Sequence, residues 1–179
     1  MTNKEQIEIP LSKTKMLLRL LGAIMFVGLG LWFLINPPKI GNPIVGNPTA
    51  IFIVGLVSII FFGFVAVTIL RKFSDKTAGL IINREGITDN SSGVSAGFIP
   101  WTDIDEIKVS QVMNQKFLML IVRNPQDYLD KVTNAMKRNA MKMNNKTYGS
   151  PISISSNALR TNFDDLHKLL VEKLNEYKK

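Results

Sequence analysis

Two long apolar runs dominate the hydropathy pattern of this chain, one at residues 16–35 and the other at residues 50–70. The second run contains no charged residue, and the first contains a single one, Arg19. A helix rises about 1.5 Å per residue, so each run is long enough to cross a hydrocarbon core of roughly 30 Å. The residues between them, 36–49, are rich in proline and glycine, which favour turns over helix. The pattern therefore predicts a two-helix transmembrane hairpin over 16–70 with a short outer loop at 36–49.

Basic residues flank the hairpin on the side of its two ends, while the connecting loop carries only Lys39. They are Lys4, Lys13, Lys15 and Arg19 before the first run, and Arg71, Lys72 and Lys76 after the second. Because cytoplasmic loops carry an excess of Lys and Arg, both ends of the hairpin are expected on the cytoplasmic side. We therefore expect an integral protein of the cell (inner or plasma) membrane, with both termini cytoplasmic and residues 1–15 forming a cytoplasmic N-terminal segment.

Small residues recur at helical spacing within both apolar runs. They are Gly22, Ala23 and Gly30 in the first run, and Gly55, Ser58, Gly63 and Ala66 in the second. Small side chains allow two helix backbones to approach closely in a membrane. The stripes fit either packing within the hairpin or a face that forms a homo-oligomer.

The chain after the membrane, residues 71–179, reads as a cytoplasmic domain of α+β class. Short segments of apolar or alternating residues, separated by turn residues, predict an antiparallel meander. These strand segments are 79–83, 87–89, 96–101, 104–113, 116–122 and 152–155. Residues 7–11 alternate in the same way, and they can add an edge strand because both flanks lie on one side. A final helix is predicted after Thr161 or Asn162, either of which can cap it.

The period of the apolar residues changes after Asn124-Pro125, and a helix is predicted over 126–144. Its apolar positions are Leu129, Val132, Met136 and Met143, and the candidate cations on its polar side are Lys131, Lys137, Arg138 and Lys142. A basic amphipathic helix of this kind, extending to Lys146, can lie on an anionic leaflet. It can also pack across an open end of the sheet with its polar face in solvent.

Composition and motifs narrow the classes of function. The chain has no cysteine, so thiol chemistry and cysteine-based zinc sites are excluded. Most of the net charge of +8 belongs to residues 1–72, with seven cations and two acids, and no nucleic-acid motif is present. His167 is the only histidine, and no phosphate-binding glycine loop follows a strand. We therefore expect no catalytic, cofactor-binding or metal-binding residues, no enzyme activity, no cofactor and no nucleic-acid partner.

Three stretches, residues 79–83, 86–88 and 97–104, together resemble the opening of the bacterial pleckstrin-homology-like (PH-like) domain family. The last contains Ile-Pro-Trp at 99–101, followed by Asp103 and Ile104. The resemblance implies a bent antiparallel β-barrel or sandwich capped by a C-terminal helix, such as follows paired membrane helices in small bacterial membrane proteins. It also implies that residues 7–11 supply the seventh strand and that 126–144 is a helical insertion. Phosphoinositide recognition is not implied, because the first hairpin offers only Lys76 and Arg84.

These features lead us to expect a membrane-anchored PH-like binding module that acts as a protein or peptide interaction scaffold. Its partner would bind at the cytoplasmic face, on an exposed sheet edge or beside the last helix. The loop at 90–95 and the methionine-bearing helix are the expected contact regions. The alternative is an electrostatic sensor of anionic lipid that uses the basic helix at 131–146.

Overall fold

The computed structural model describes residues 6–38, 41, 46–73, 75 and 77–178 of the chain. The described residues form two compact units. One combines the residues up to Ser12 with those from Thr77 onward, and the other consists of the residues between them. Lys4, Lys39 and Lys76, on which the expected orientation partly rests, lie outside the described residues.

The unit between Ser12 and Thr77 contains two long helices, α1 (Lys13–Ile35) and α2 (Pro48–Phe73). Both are long and apolar enough to cross a membrane, and only 17% and 11% of their most apolar stretches is buried. Exposed side chains such as Phe61 and Ile60 leave a large apolar surface outside the helix pair. Because water would solvate such a surface poorly, the unit is suited to a lipid environment.

The two helices approach most closely where Gly30 faces Gly55. A Cβ atom added to Gly30 would lie 2.8 Å from the carbonyl oxygen of Gly55. Nearby, the Ser58 hydroxyl donates a hydrogen bond to the Phe26 carbonyl at 3.0 Å, and the ring of Phe26 stacks on Phe62 at 4.3 Å. Packing within the hairpin therefore accounts for Gly30, Gly55 and Ser58, whereas Gly22, Gly28 and Gly63 have no such neighbour within 4 Å.

The other unit contains a four-stranded antiparallel sheet in which the strands lie in sequence order. Its strands are β1 (Ile7–Ile9), β2 (Leu80–Ile82), β3 (Gly86–Asp89) and β4 (Gly97–Pro100). A Cβ at Gly86 would clash with the carbonyl oxygen of Ile99, so only glycine permits this approach of β3 to β4.

Strand β1 comes from the segment that precedes α1 and pairs with β2, which follows α2. The next three residues are held by the C-terminal part of the chain. The Ser12 amide donates to the Ala158 carbonyl at 2.8 Å, and the Arg160 amide donates to the Pro10 carbonyl at 2.9 Å. Residues 7–12 are thus hydrogen-bonded to two separate parts of the domain.

A second, three-stranded antiparallel sheet contains β5 (Ile104–Val112), β6 (Gln115–Val122) and β7 (Ser153–Ile154). A two-residue turn at Met113 and Asn114 joins β5 to β6, with Met113 at a φ of 53°. Within the described residues no strand pairing links this sheet to the first one. The bent barrel that was one form of the expected fold is therefore not closed, and the architecture is two antiparallel sheets with a C-terminal helix.

One hydrophobic core unites both sheets with that helix, α5 (Phe163–Tyr177). Asn162 caps α5 by accepting a hydrogen bond from the Asp165 amide at 2.8 Å, which identifies it, of the two predicted residues, as the cap. Leu166, Leu170 and Leu174 place one face of α5 in the core. Trp101 is 1% exposed, and its indole nitrogen donates to the Asn83 carbonyl at 2.8 Å.

Two helices occupy the segment for which one helix was predicted over 126–144. They are α3 (Pro125–Asp130) and α4 (Ala135–Tyr148). The helix is interrupted because β-branched Val132 and Thr133 precede Asn134, whose side chain caps a new helix. Gly149 ends α4 in the left-handed conformation, at a φ of 80°.

Candidate functional site

A cleft of about 210 Å³ lies between strand β4 and the turn that joins α3 to α4. It is lined by Ala96, Phe98, Tyr128, Lys131, Val132, Thr133, Asn134 and Lys137. Phe98 is 47% exposed, although the neighbouring Ile99 is buried in the core. The alternation of β4 therefore turns an aromatic side chain outward, toward the cleft.

Tyr128 is the most firmly held residue of the cleft. Its hydroxyl donates to a carboxylate oxygen of Asp103 at 2.8 Å, which ties α3 to the turn before β5. Burial, reinforced by this hydrogen bond, raises the pKa of the Tyr128 phenol well above its usual value. The Lys131 ammonium lies 5.4 Å from the centre of the Tyr128 ring, within the range of a cation–π interaction.

The first turn of α4 positions the other cation of the cleft. The Asn134 side chain accepts a hydrogen bond from the Lys137 amide at 2.9 Å, which fixes the start of the helix beside β4. Lys137 is half-buried and lines the cleft, with the Thr133 hydroxyl contributed from the preceding turn. The lining of the cleft thus combines two lysines, a threonine and apolar side chains.

Two of the four cations predicted to contact anionic lipid line the cleft, and the other two do not. Lys131 and Lys137 line the cleft, whereas Arg138 forms an ion pair with Asp130 at 2.6 Å. Lys142 is exposed on α4, away from the cleft-lining residues. The interruption at 131–134 causes this separation, because it places Lys131 outside the helix that carries the other three.

Of the two regions expected from the sequence to make contacts, α4 contributes to the cleft lining and the loop at 90–95 does not. The loop at 90–95 leads directly into Ala96, and α4 contributes Lys137. The loop is internally hydrogen-bonded: the Ser92 amide donates to the Ser95 hydroxyl at 2.8 Å, and the Ser91 amide donates to the Asp89 carboxylate at 2.9 Å. These hydrogen bonds fix the conformation of the loop ahead of Ala96.

Strand β5 forms the long edge of the second sheet, and the start of this edge is protected. The register shifts between Ile104 and Glu106, which places a bulge at Asp105. The Lys178 ammonium donates to the Asp105 carbonyl at 3.0 Å. Arg123, together with Lys178, also holds the pKa of the Asp105 carboxyl below its usual value. Bulges and charges of this kind oppose the addition of another strand, so the cleft is the better candidate for a ligand.

The described residues contain no group of three or more His, Cys, Asp or Glu side chains that could hold a metal ion. His167 is half-buried, with its ring stacked on Phe163 at 6.2 Å. The Asp103 carboxylate accepts a hydrogen bond from the Tyr128 hydroxyl. With Lys131, Lys137 and Thr133 beside the Phe98 ring in its lining, the cleft is suited to an anionic or polar group next to an apolar one.

Sequence reasoning identified Lys131 and Lys137 as possible contact residues but missed Phe98, Tyr128, Thr133 and Asn134. A signal for Asn134 was present, since Asn after two β-branched residues favours a helix cap. For Phe98 the sequence signal was its place next to Ile99 in a strand with alternating side chains, which predicts that Phe98 points away from the core if Ile99 points into it.

The chain matches no protein-family model, and no curated protein or solved structure is similar enough to it to count as a match.

Proposed function

We propose that this chain is a membrane-anchored, PH-like binding module that holds a protein partner at the cytoplasmic face of the cell membrane. The ligand of the cleft is an acidic segment of that partner. The proposed role is binding without catalysis, so the cleft residues recognise a side chain rather than transform a substrate.

The observation that carries the proposal is the placement of Lys131 and Lys137 around one small cleft that also exposes Phe98. Pockets for metabolites and cofactors usually enclose about 300–1,000 Å³. At about 210 Å³, this cleft is suited to one or two side chains of a larger ligand. A carboxylate between two ammonium groups, with its aliphatic neighbour on the Phe98 ring, would satisfy both kinds of surface.

The PH-like assignment rests on the resemblance at 79–83, 86–88 and 97–104 and is supported by the arrangement of the strands. The resemblance implies seven strands and a closing helix, and the described residues contain seven strands, four in one sheet and three in another, together with α5. In this proposal β1 is the seventh strand, and the segment with α3 and α4 is an insertion.

The proposed placement of both flanks on one side of the membrane is supported by the fact that residues on both sides of the hairpin belong to one domain. Two crossings return the chain to the side on which it began. Lys13, Lys15, Arg71 and Lys72 stand at the ends of the helices that adjoin this domain, and their charge favours the cytoplasm.

The proposal is tested by replacing Phe98 with the photo-cross-linking residue benzoylphenylalanine in the full-length chain. The variant is expressed in cells of the organism from which the chain comes, and the cells are irradiated. We expect a protein adduct whose cross-linked peptide is rich in Asp or Glu. We also expect Lys131→Glu/Lys137→Glu to abolish the adduct, while Lys168→Glu/Arg160→Glu, an equal change of charge at exposed positions, leaves it in place.

Benzoylphenylalanine placed instead at Met113, which is 92% exposed on the β5–β6 turn, measures the yield of nonspecific cross-linking. An adduct of equal yield at Met113, or a Phe98 adduct that the double Lys variant does not affect, would contradict the proposal.

A further inference from the structure

The outward face of α4 combines exposed methionines with exposed lysines. Met136 and Met143 are 73% and 70% exposed. They are seven residues apart, so they lie on the same face of the helix. A single exposed apolar residue needs no explanation, but two long apolar side chains aligned on one helix form a surface that water solvates poorly.

The opposite face of α4 is fixed to the domain. Met141, on this opposite face, is fully buried in the core, and on the side of the helix between the two faces the Asn144 side chain donates to the Ser153 hydroxyl of β7 at 3.2 Å. The helix therefore cannot rotate to bury Met136 and Met143 without breaking these contacts. The outward face is a preformed surface of the folded domain.

The charges beside the methionines are all positive. The helix contains no acidic residue, and Lys142 and Lys146 are exposed one turn apart on the flank of the methionine pair. Within the described part of the chain neither makes an ion pair, in contrast to Arg138, which Asp130 holds. The pattern of cations around exposed apolar side chains is complementary to a negatively charged surface with an apolar layer beneath it.

We propose that this face, made of Met136, Met143, Lys142 and Lys146, is a contact surface for an anionic bilayer. The methionines enter the boundary between headgroups and acyl chains, and the lysines lie among the anionic headgroups. Near such a leaflet each lysine strengthens binding about fivefold. The chain also carries two helices able to span a membrane, so even a weak surface contact acts at high effective concentration.

This surface is narrower than the amphipathic helix expected from the sequence, since it keeps Met136, Met143, Lys142 and Lys146 but omits Arg138 and the cleft lysines. It is also independent of the proposed function, because none of its residues lines the cleft.

The chain has no cysteine, so a single Met143→Cys substitution can carry an environment-sensitive fluorophore. The labelled full-length protein is reconstituted into nanodiscs of phosphatidylcholine with phosphatidylglycerol, or of phosphatidylcholine alone. We expect a blue shift and protection from an aqueous quencher only in the anionic discs, with both effects lost at high salt. Lys142→Gln/Lys146→Gln should weaken the response about 25-fold if the two lysines act independently.

Two matched controls make the result specific to this face. The same fluorophore at Met113→Cys should respond equally little in both discs, although Met113 is more exposed. Lys168→Gln/Arg160→Gln removes the same charge elsewhere on the domain and should leave the Met143 signal unchanged. The proposal is overturned if the Met143 probe does not distinguish the two lipids, or if the control charge change weakens its response as much as the α4 change does.

Discussion

Ile9 lies directly opposite Leu80 in an antiparallel strand pair, although α1 and α2 separate the two residues in sequence. Ile9 is 8% exposed and Leu80 is fully buried, so the pair belongs to the core of the domain. Strand β1, which precedes the hairpin in sequence, is thus part of a sheet whose other strands follow the hairpin. The domain can be complete only when both flanks of the hairpin lie on the same side of the membrane.

Truncation of the Ile9 side chain should destabilise the domain despite its position ahead of both helices. We expect Ile9→Ala to lower the free energy of unfolding by about 2–4 kcal/mol, because it removes buried methyl groups from the core. Glu8→Ala, on the exposed side of the same strand, should change it by less than about 0.5 kcal/mol. Denaturant unfolding in detergent measures both values, and equal effects of the two substitutions would contradict the role of β1 in the core.

A second prediction concerns the close approach of α1 and α2. Gly30→Leu places a side chain where the Cβ alone would lie 2.8 Å from the Gly55 carbonyl oxygen, so the helices must separate. Gly28→Leu, two residues earlier, meets no neighbour within 4 Å and is the matched control. We expect only Gly30→Leu to lower the temperature at which the detergent-solubilised chain aggregates. Similar losses for both variants would show that the Gly30–Gly55 contact does not hold the hairpin together.

A third prediction uses the phenol of Tyr128, whose pKa is raised in the folded chain. In the unfolded chain the phenol ionises near its usual value of about 10. Below that pH the stabilisation is fully present, and it is lost as the pH rises because the unfolded state then releases a proton that the folded state retains. The stability advantage of the wild type over Tyr128→Phe should therefore be smaller at about pH 11 than at about pH 8.

Denaturant unfolding at the two pH values measures this advantage, and Tyr148→Phe controls for the loss of a hydroxyl elsewhere. An advantage that stays constant with pH would contradict a raised pKa of the Tyr128 phenol, and with it the burial of the hydroxyl beside Asp103.

Much of the fold could be read from local patterns. The alternation at residues 104–113 and the apolar run at 116–122 correspond to β5 and β6, and the cap at Asn162 begins α5. The alternation at residues 7–11 indicated a strand, and the structure contains β1 there. These elements were accessible because the residues that determine each of them are neighbours in sequence.

Local patterns did not predict which side chains of the methionine-bearing helix are buried. Over 126–144 a continuous helix would place Leu129, Val132, Met136 and Met143 on one apolar face. The interruption before Asn134 resets the phase, so that Met141 is buried and Met136 and Met143 are exposed. The start of α4 at Asn134 and the packing of α4 into the core determine that Met141 is the buried methionine. The apolar period over 126–144 does not determine it.

The cleft was inaccessible to sequence reasoning for a different reason. Phe98 and Lys137 belong to elements that are distant in sequence, and nothing local to either residue specifies their meeting. Their proximity depends on the Tyr128–Asp103 hydrogen bond and on the start of α4 at Asn134. Only the positive charge of the region could be foreseen.

The central claim is that two membrane crossings leave both flanks of the hairpin in the cytoplasm as one domain. Because the chain lacks cysteine, three single-cysteine variants test it directly: Gln6→Cys before α1, Gly41→Cys between the helices and Met113→Cys in the domain. In intact cells a membrane-impermeant maleimide should label only Gly41→Cys, and the other two should react only after the membrane is permeabilised. Labelling of Met113→Cys from outside intact cells, or of Gln6→Cys and Met113→Cys from opposite sides, would contradict the account.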